Sequence, residues 1–237
     1  MNLLMHKNIP VSIMRTSGSK SATIVIEHGQ VFVRVPNDLP MSRIERLIQS
    51  RSDWIRQKLH LQSQIVIPRP KEMVSGESFS YLGRNYRLKL VQGESSEVKL
   101  KNGYLTLTYD KRLTKEERDE FVRSSLQEWY QARALDKLTE KVTRYEKILH
   151  VKSKSVSVYD FKSRWGSCSV SGDLRFNWRI IMAPNAIVDY VVVHELSHLV
   201  HHDHSDKFWK TIGHVISDYA DRRQWLKIEA QLFLNWK

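Results

Sequence analysis

A single run, Asp189-Tyr-Val-Val-Val-His194-Glu195-Leu-Ser-His198-Leu-Val, constrains this chain more than any other stretch. It holds the pattern H-E-x-x-H inside a segment apolar enough to be a buried helix. On a helix, His194 and His198 lie one turn apart on the same face, so both imidazoles can converge on one ion. Zinc takes neutral imidazole nitrogen at about 2.0–2.1 Å and keeps a position open for water in catalytic sites. Glu195 falls at the edge of that face, where a carboxylate can accept a proton from a water at the metal. The plainer reading is a buried helix whose two histidines merely satisfy one another. Two histidines and a glutamate at fixed places arise by chance in roughly one chain in a hundred, which favours the metal.

Such a site needs a third ligand. Ser205 reads as the N-cap of a further helix with Phe208, Trp209, Ile212, Val215 and Ile216 on its apolar stripe. His204 then stands in the turn between two helices, facing back at the first. Its distance from His198 is that of the metzincins, but His201 occupies the place of their turn glycine, so this is a different turn. His204 is the leading candidate, and Glu229, Asp203 and His214 are the alternatives. His201 and His202 read as solvated turn residues.

The surrounding motifs carry a resemblance. Lys162-Ser-Arg164-Trp165-Gly166-Ser167-Cys168-Ser169, Asn177-Trp178-Arg179, the His194–His198 segment and His204-Ser205 with Phe208-Trp209 occur in this order. This order resembles the YgjP-like metallopeptidases, relatives of the SprT-like and Wss1-like proteases. Trp54-Ile-Arg56 and Tyr81-Leu-Gly83-Arg84-x-Tyr86 extend the resemblance, more weakly, into the N-terminal half. It implies a zincin-like core, a zinc held by His194, His198 and His204, and Glu195 as general base.

The rest of the chain reads as α+β. Residues 8–14 and 22–35 are expected strands, with a hairpin across Glu27-His28-Gly29-Gln30. Ser42 is expected to cap a helix carrying Ile44, Leu47, Ile48, Ile55 and Leu59 on one side and a row of arginines on the other. Residues 64–71, with Pro68 and Pro70, read as a connection. Strands near 78–82, 85–91, 98–100 and 104–109 follow, punctuated by Gly83, Gly93 and Gly103 as hairpin turns. Thr114-Lys-Glu-Glu117 is a capping box, and the helical period then runs without glycine or proline to residue 149. Strands return at 155–159 and 174–181, and Trp225, Leu226, Phe233 and Trp236 are available to pack from a helical C-terminus. No internal repeat is visible. The expected division is a β-rich unit over 1–112 and a metal-binding catalytic unit over 113–237.

The net charge of +12 favours anionic partners, nucleic acid among them, although the basic residues are dispersed and no nucleic-acid motif accompanies them. A lone cysteine and the lack of a transmembrane-length apolar run or signal-peptide core fit a cytoplasmic protein with no membrane association. Cys168 as a nucleophile is the weaker reading, since a single cysteine near a strand end is more often packing. Either the Arg164–Ser169 segment or the strand from Leu174 is expected to pair with an extended substrate. Arg164, Arg179 and Tyr190 are the candidates for stabilising a developing oxyanion. Three functions remain open: a zinc endopeptidase, a metal-dependent nucleoside triphosphate pyrophosphatase using the same water, and a nucleic-acid-associated protein with a structural metal. The glutamate beside the ligands argues against the last, because a structural site has no use for it.

Overall fold

A computed structural model describes residues 2–17, 21–27, 29–63, 69–93, 97–230 and 233. Residues 64–68, His28 and Trp236 lie outside the described residues. The chain divides into two compact units, Met1–Ile67 and Pro68–Lys237. The boundary is therefore earlier than the expected 112/113. Leu88, Leu105 and Leu107 of the second run of strands share one buried core with Val122, Leu126 and Tyr130 of the long helix, which joins those strands to the metal-bearing half.

The first unit contains β1 (Asn2–His6), β2 (Ile9–Thr16), β3 (Thr23–Glu27), β4 (Gln30–Pro36), α1 (Met41–Ser50) and α2 (Ser52–Ser63). Its sheet runs β1-β2-β4-β3, with antiparallel outer pairs and a parallel pair, β2 with β4, at the centre. Val11, Ile13, Val31, Val33 and Val35 present their period-2 face to Ile44, Ile48 and Ile55. Full burial of each such side chain is worth about 1.5–3 kcal/mol. Three expectations change here. Strand β1 has no β-branched residue to announce it and is held by its turn and its partner. Pro40 rather than Ser42 occupies the N-cap, without a side-chain cap bond. The helix also breaks at Arg51, where ψ moves to 9°, and buried Ser52 meets the His6 ring at 2.5 Å.

The second unit opens with β5 (Ser78–Tyr81), β6 (Arg84–Gln92), β7 (Val98–Lys101) and β8 (Tyr104–Tyr109). These strands repeat the plan of the first unit: order β5-β6-β8-β7, antiparallel outer pairs, and parallel β6 with β8. Leading strands, central strands and following helix recur at a shift of about 75 residues, from Ile9 to Arg84 and from Met41 to Lys115. Sequence inspection misses this repeat because it lies in topology, not in residue identity. Left-handed pairs make the turns in both copies: Lys7-Asn8 (φ 46° and 68°), Leu82-Gly83 (48° and 78°) and Asn102-Gly103 (53° and 80°). These are the positive-φ pairs that a two-residue hairpin requires. Gly93 makes no hairpin, because β7 pairs with β8 and not with β6.

Helix α3 (Lys115–Leu149) then spans the unit, with the Thr114–Glu117 capping box formed in both directions. A three-stranded sheet, ordered β10-β11-β9, is built from β9 (Ser155–Tyr159), β10 (Gly166–Cys168) and β11 (Asp173–Asn177). The expected strand through Ile181 stops at Asn177, and a 3-10 segment covers Trp178–Met182. Buried Asn177 causes this change by accepting a hydrogen bond from the Arg179 N–H, 3.1 Å, which turns the backbone. Helices α4 (Asn185–Ser197), α5 (Asp206–Val215) and α6 (Tyr219–Ile228) complete the fold. No helix among the described residues is long and apolar enough to cross a membrane.

Candidate metal centre

Helix α4 is apolar nearly all round, as a helix must be when neighbours cover it on every side. Val188, Val191, Val192, Val193 and Leu196 are buried in the core shared with α3, the 3-10 segment, α5 and α6. Two devices set its placement. A buried ion pair, Lys141 Nζ to Asp189 Oδ1 at 2.6 Å, ties its first half to α3. At its start, the β5–β6 turn abuts Pro184, and the Leu82 N–H donates to the Ile181 carbonyl at 2.8 Å. A side chain at Gly83 would lie 2.7 Å from the Pro184 Cα, so the turn needs glycine both for its φ and for this approach.

The last turn of α4 presents His194 and Glu195, and His198 is its C-cap. His204, in the turn before α5, reaches the same point. One ligand nitrogen from each of His194, His198 and His204 lies within 4.8 Å of the others. The Nε2 atoms of His194 and His204 face each other at 3.3 Å. Two nitrogens about 2.05 Å from a tetrahedral ion stand about 3.3 Å apart, so this spacing suits zinc. His198 Nδ1 lies 3.1 Å from the His201 carbonyl, the arrangement that commits Nδ1 as donor and leaves Nε2 as ligand. Burial pushes the His194 pKa down to about 3, helped by the charges of His198, His204 and Arg223. Burial likewise lowers that of His198. Both rings are thus kept in the neutral form that a metal takes. The donor set fits a zinc ion.

The other candidates for third ligand lie elsewhere. Glu229 caps α6 and is exposed, and His214 sits in the last turn of α5. Asp203 accepts from the Ser205 N–H at 3.2 Å, an Asx turn ahead of α5, and the Ser205 side chain itself makes no cap bond. Trp209 supports His204 from behind: its Nε1–H donates to the His204 carbonyl at 3.1 Å, and the two rings stack 5.6 Å apart.

Glu195 is buried, which pushes its pKa up to about 8, with the Arg164 charge pulling the other way. Its carboxylate is seated against Gly166 of β10. A Cβ on Gly166 would stand 2.6 Å from Glu195 Oε1 and 2.8 Å from Cδ. The R-W-G-S-C motif thus contributes a vacancy at its glycine. Asn177 holds the approach to that strand, donating from Nδ2 to the Phe161 carbonyl at 2.8 Å and the Arg164 carbonyl at 3.2 Å. Strand β10 is the edge of its sheet, with β11 on one side only. The Asn177 N–H donates to Trp165 O and the Ser169 N–H to Asp173 O, so residues 165 and 169 bond inward. By antiparallel alternation, the main-chain groups of Gly166 and Cys168 point to the open edge.

Of the oxyanion candidates, Arg179 is committed elsewhere: it is ion-paired to Asp160 and lies over the Trp178 ring. Tyr190 is buried with its ring 5.9 Å from that of His194, and burial pushes its phenol up to about 12. Arg164 is exposed over Phe161. Cys168 is pushed up to about 11 by burial and by the charges of Glu195 and Asp173, the reverse of what a nucleophilic thiol needs.

A buried H-E-x-x-H helix, a third histidine from the following turn and a sheet edge at the glutamate come together in an α+β fold. The model of the YgjP-like, metallopeptidase domain matches residues 20–229, and the chain belongs to that family. No curated protein and no solved structure matches the chain.

Proposed function

We propose that the protein is a zinc-dependent endopeptidase, with His194, His198 and His204 holding the ion and Glu195 acting as general base. When bound, the metal supplies Lewis acidity, polarising a carbonyl and bringing the pKa of water to about 7. Glu195 would serve as a carboxylate there, because a positive charge beside it favours the ionised form against the burial that raises its pKa. Glu195 accepts a proton from the attacking water as its oxygen bonds to the carbonyl carbon. The carbonyl electron pair moves onto oxygen. On collapse the C–N bond breaks, and Glu195 returns the proton to the departing amine.

The observation that carries the peptide reading is the free edge of β10. Gly166 and Cys168 offer main-chain donors and acceptors to an extended chain, and Gly166 is the residue against which Glu195 rests. A peptide added to that edge brings its backbone to the base. A phosphoanhydride would use the same water but has no partner for a strand edge.

The test is hydrolysis of an unfolded, alkylated protein substrate and of a nucleoside triphosphate panel, with chelator and with zinc restored. Peptide-bond cleavage that chelator abolishes and zinc restores is expected. Glu195→Gln should keep its zinc and lose on the order of 10²–10⁴-fold in rate. Cleavage of nucleotides alone, or full peptide turnover by Glu195→Gln, would end this reading.

A further inference from the structure

A cation that the motifs do not announce stands beside the histidines. Helix α6 places Tyr219 and Arg223 one turn apart, and both rest on Trp209. Tyr219 lies 5.6 Å from that ring and nearly parallel to it, at 14°, and the Arg223 guanidinium carbon is 4.4 Å from its centroid. The Trp209 ring is in turn 5.6 Å from His204 and 6.0 Å from His194. The guanidinium is therefore held on the same indole that two of the three metal-binding imidazoles touch.

Its neighbours show what is unusual about it. Arg222 is occupied by Asp218 at 2.9 Å and by the Ala186 carbonyl at 2.8 Å, which pins α6 to the start of α4. Arg179 is bound by Asp160. Among the described residues no carboxylate pairs with Arg223. A divalent ion in the cluster would add like charge next to an arginine with no counter-ion. Arg223 is exposed, so water screens this charge in the resting site, and an anion that displaces that water meets both positive charges.

We propose that Arg223 is the anion-holding residue of the metal site, its guanidinium meeting the oxyanion of the attacked carbonyl from the α5–α6 side. The role in turnover rests on the endopeptidase reading; the capacity to hold a tetrahedral anion does not. Trp209 confines the planar group to one face, which limits the side-chain entropy lost when the anion arrives. Arg164 is left to the β10 side, where its charge acts on Glu195.

The experiment uses the zinc-loaded full chain and inorganic phosphate as a tetrahedral anion, with binding followed by calorimetry. Arg223→Ala should raise the phosphate dissociation constant tenfold or more at unchanged zinc content, and Arg223→Lys should recover part of the loss. Arg133→Ala, on the exposed surface of α3, removes the same net charge and should leave phosphate binding as in the wild type. On a cleaved peptide, Arg223→Ala should lower kcat by about 10²–10³-fold with KM little changed. Unaltered phosphate affinity in Arg223→Ala, no phosphate binding by the wild type, or a rise in KM at constant kcat would each overturn the assignment. If the wild type cleaves no peptide, the endopeptidase reading falls and the phosphate measurement still decides Arg223.

Discussion

Replacing Gly166 with alanine adds one methyl group at the point where Glu195 is seated. The new Cβ would stand 2.6 Å from Oε1, 2.7 Å from Cγ and 2.8 Å from Cδ, whereas ordinary contact begins at 3.4 Å. Carboxylate or strand must therefore retreat by about 0.8 Å, the difference between 3.4 and 2.6 Å. The overpacking should cost roughly 1–3 kcal/mol of stability. Catalysis should suffer more, since a displacement near 1 Å can cost about 10²-fold in rate. The three atoms nearest the added group all belong to Glu195, so zinc stoichiometry should stay at the wild-type value. Metal analysis, thermal unfolding and initial rates on a quenched peptide pool read the three quantities separately. A cycle with Glu195→Asp sharpens the test: the shorter side chain withdraws from Gly166, so the alanine should cost little further activity in that background. A Gly166→Ala protein with full zinc and full turnover would refute the seating of the base. One that loses zinc would show that β10 supports the ligands instead.

Two further outcomes are expected. His204→Ala should fall well below one equivalent of zinc, as His194→Ala and His198→Ala should, while Glu229→Ala keeps its metal; the reverse pattern, read by metal analysis, refutes the three-histidine set. In chelator-treated protein, burial raises Glu195 from 4.5 to about 8, so its contribution to stability is present at low pH and is lost as pH rises through that range. His194, lowered from 6.5 to about 3, contributes stability above 6.5 that is lost on acidification. The two oppose each other between 4.5 and 6.5, and from 6.5 to 8 only the Glu195 effect remains. Urea midpoints of the metal-free wild type should drop across that last window and those of Glu195→Gln should not; parallel curves would show that Glu195 is solvated.

How much of this was legible in the sequence depended on the range of the interaction. The H-E-x-x-H spacing, the Thr114 capping box and the alternation of β8 are encoded within a few residues, and local geometry reads them directly. His204 could be ranked first but not separated from Glu229, because the return of a turn onto a helix is decided by packing such as Trp209 against His204. The expected 112/113 division differs from the 67/68 division of the compact units for a related reason. A strand's inward face looks the same whichever helix covers it, and only the shared core with α3 assigns β5–β8 to the second unit. Gly166 and Arg223 were invisible in another way. One acts through an atom it lacks, and the other through a ring on a helix that precedes it in the chain.

The recurrence of one strand plan at a shift of about 75 residues bears on how the polypeptide reaches its native state. Tandem copies of a module are prone to exchange strands with each other while they are incomplete. Here the two units differ in the side chains that fill them. Valine and isoleucine dominate the first, Val11, Ile13, Val31, Val33 and Ile44, while leucine and aromatics dominate the second, Phe79, Tyr81, Leu88, Leu105 and Leu107. A β4 strand that strayed beside β6 would bring branched, compact side chains to a site shaped for longer ones. Synthesis order adds to this discrimination, because the first module is complete before its look-alike leaves the ribosome.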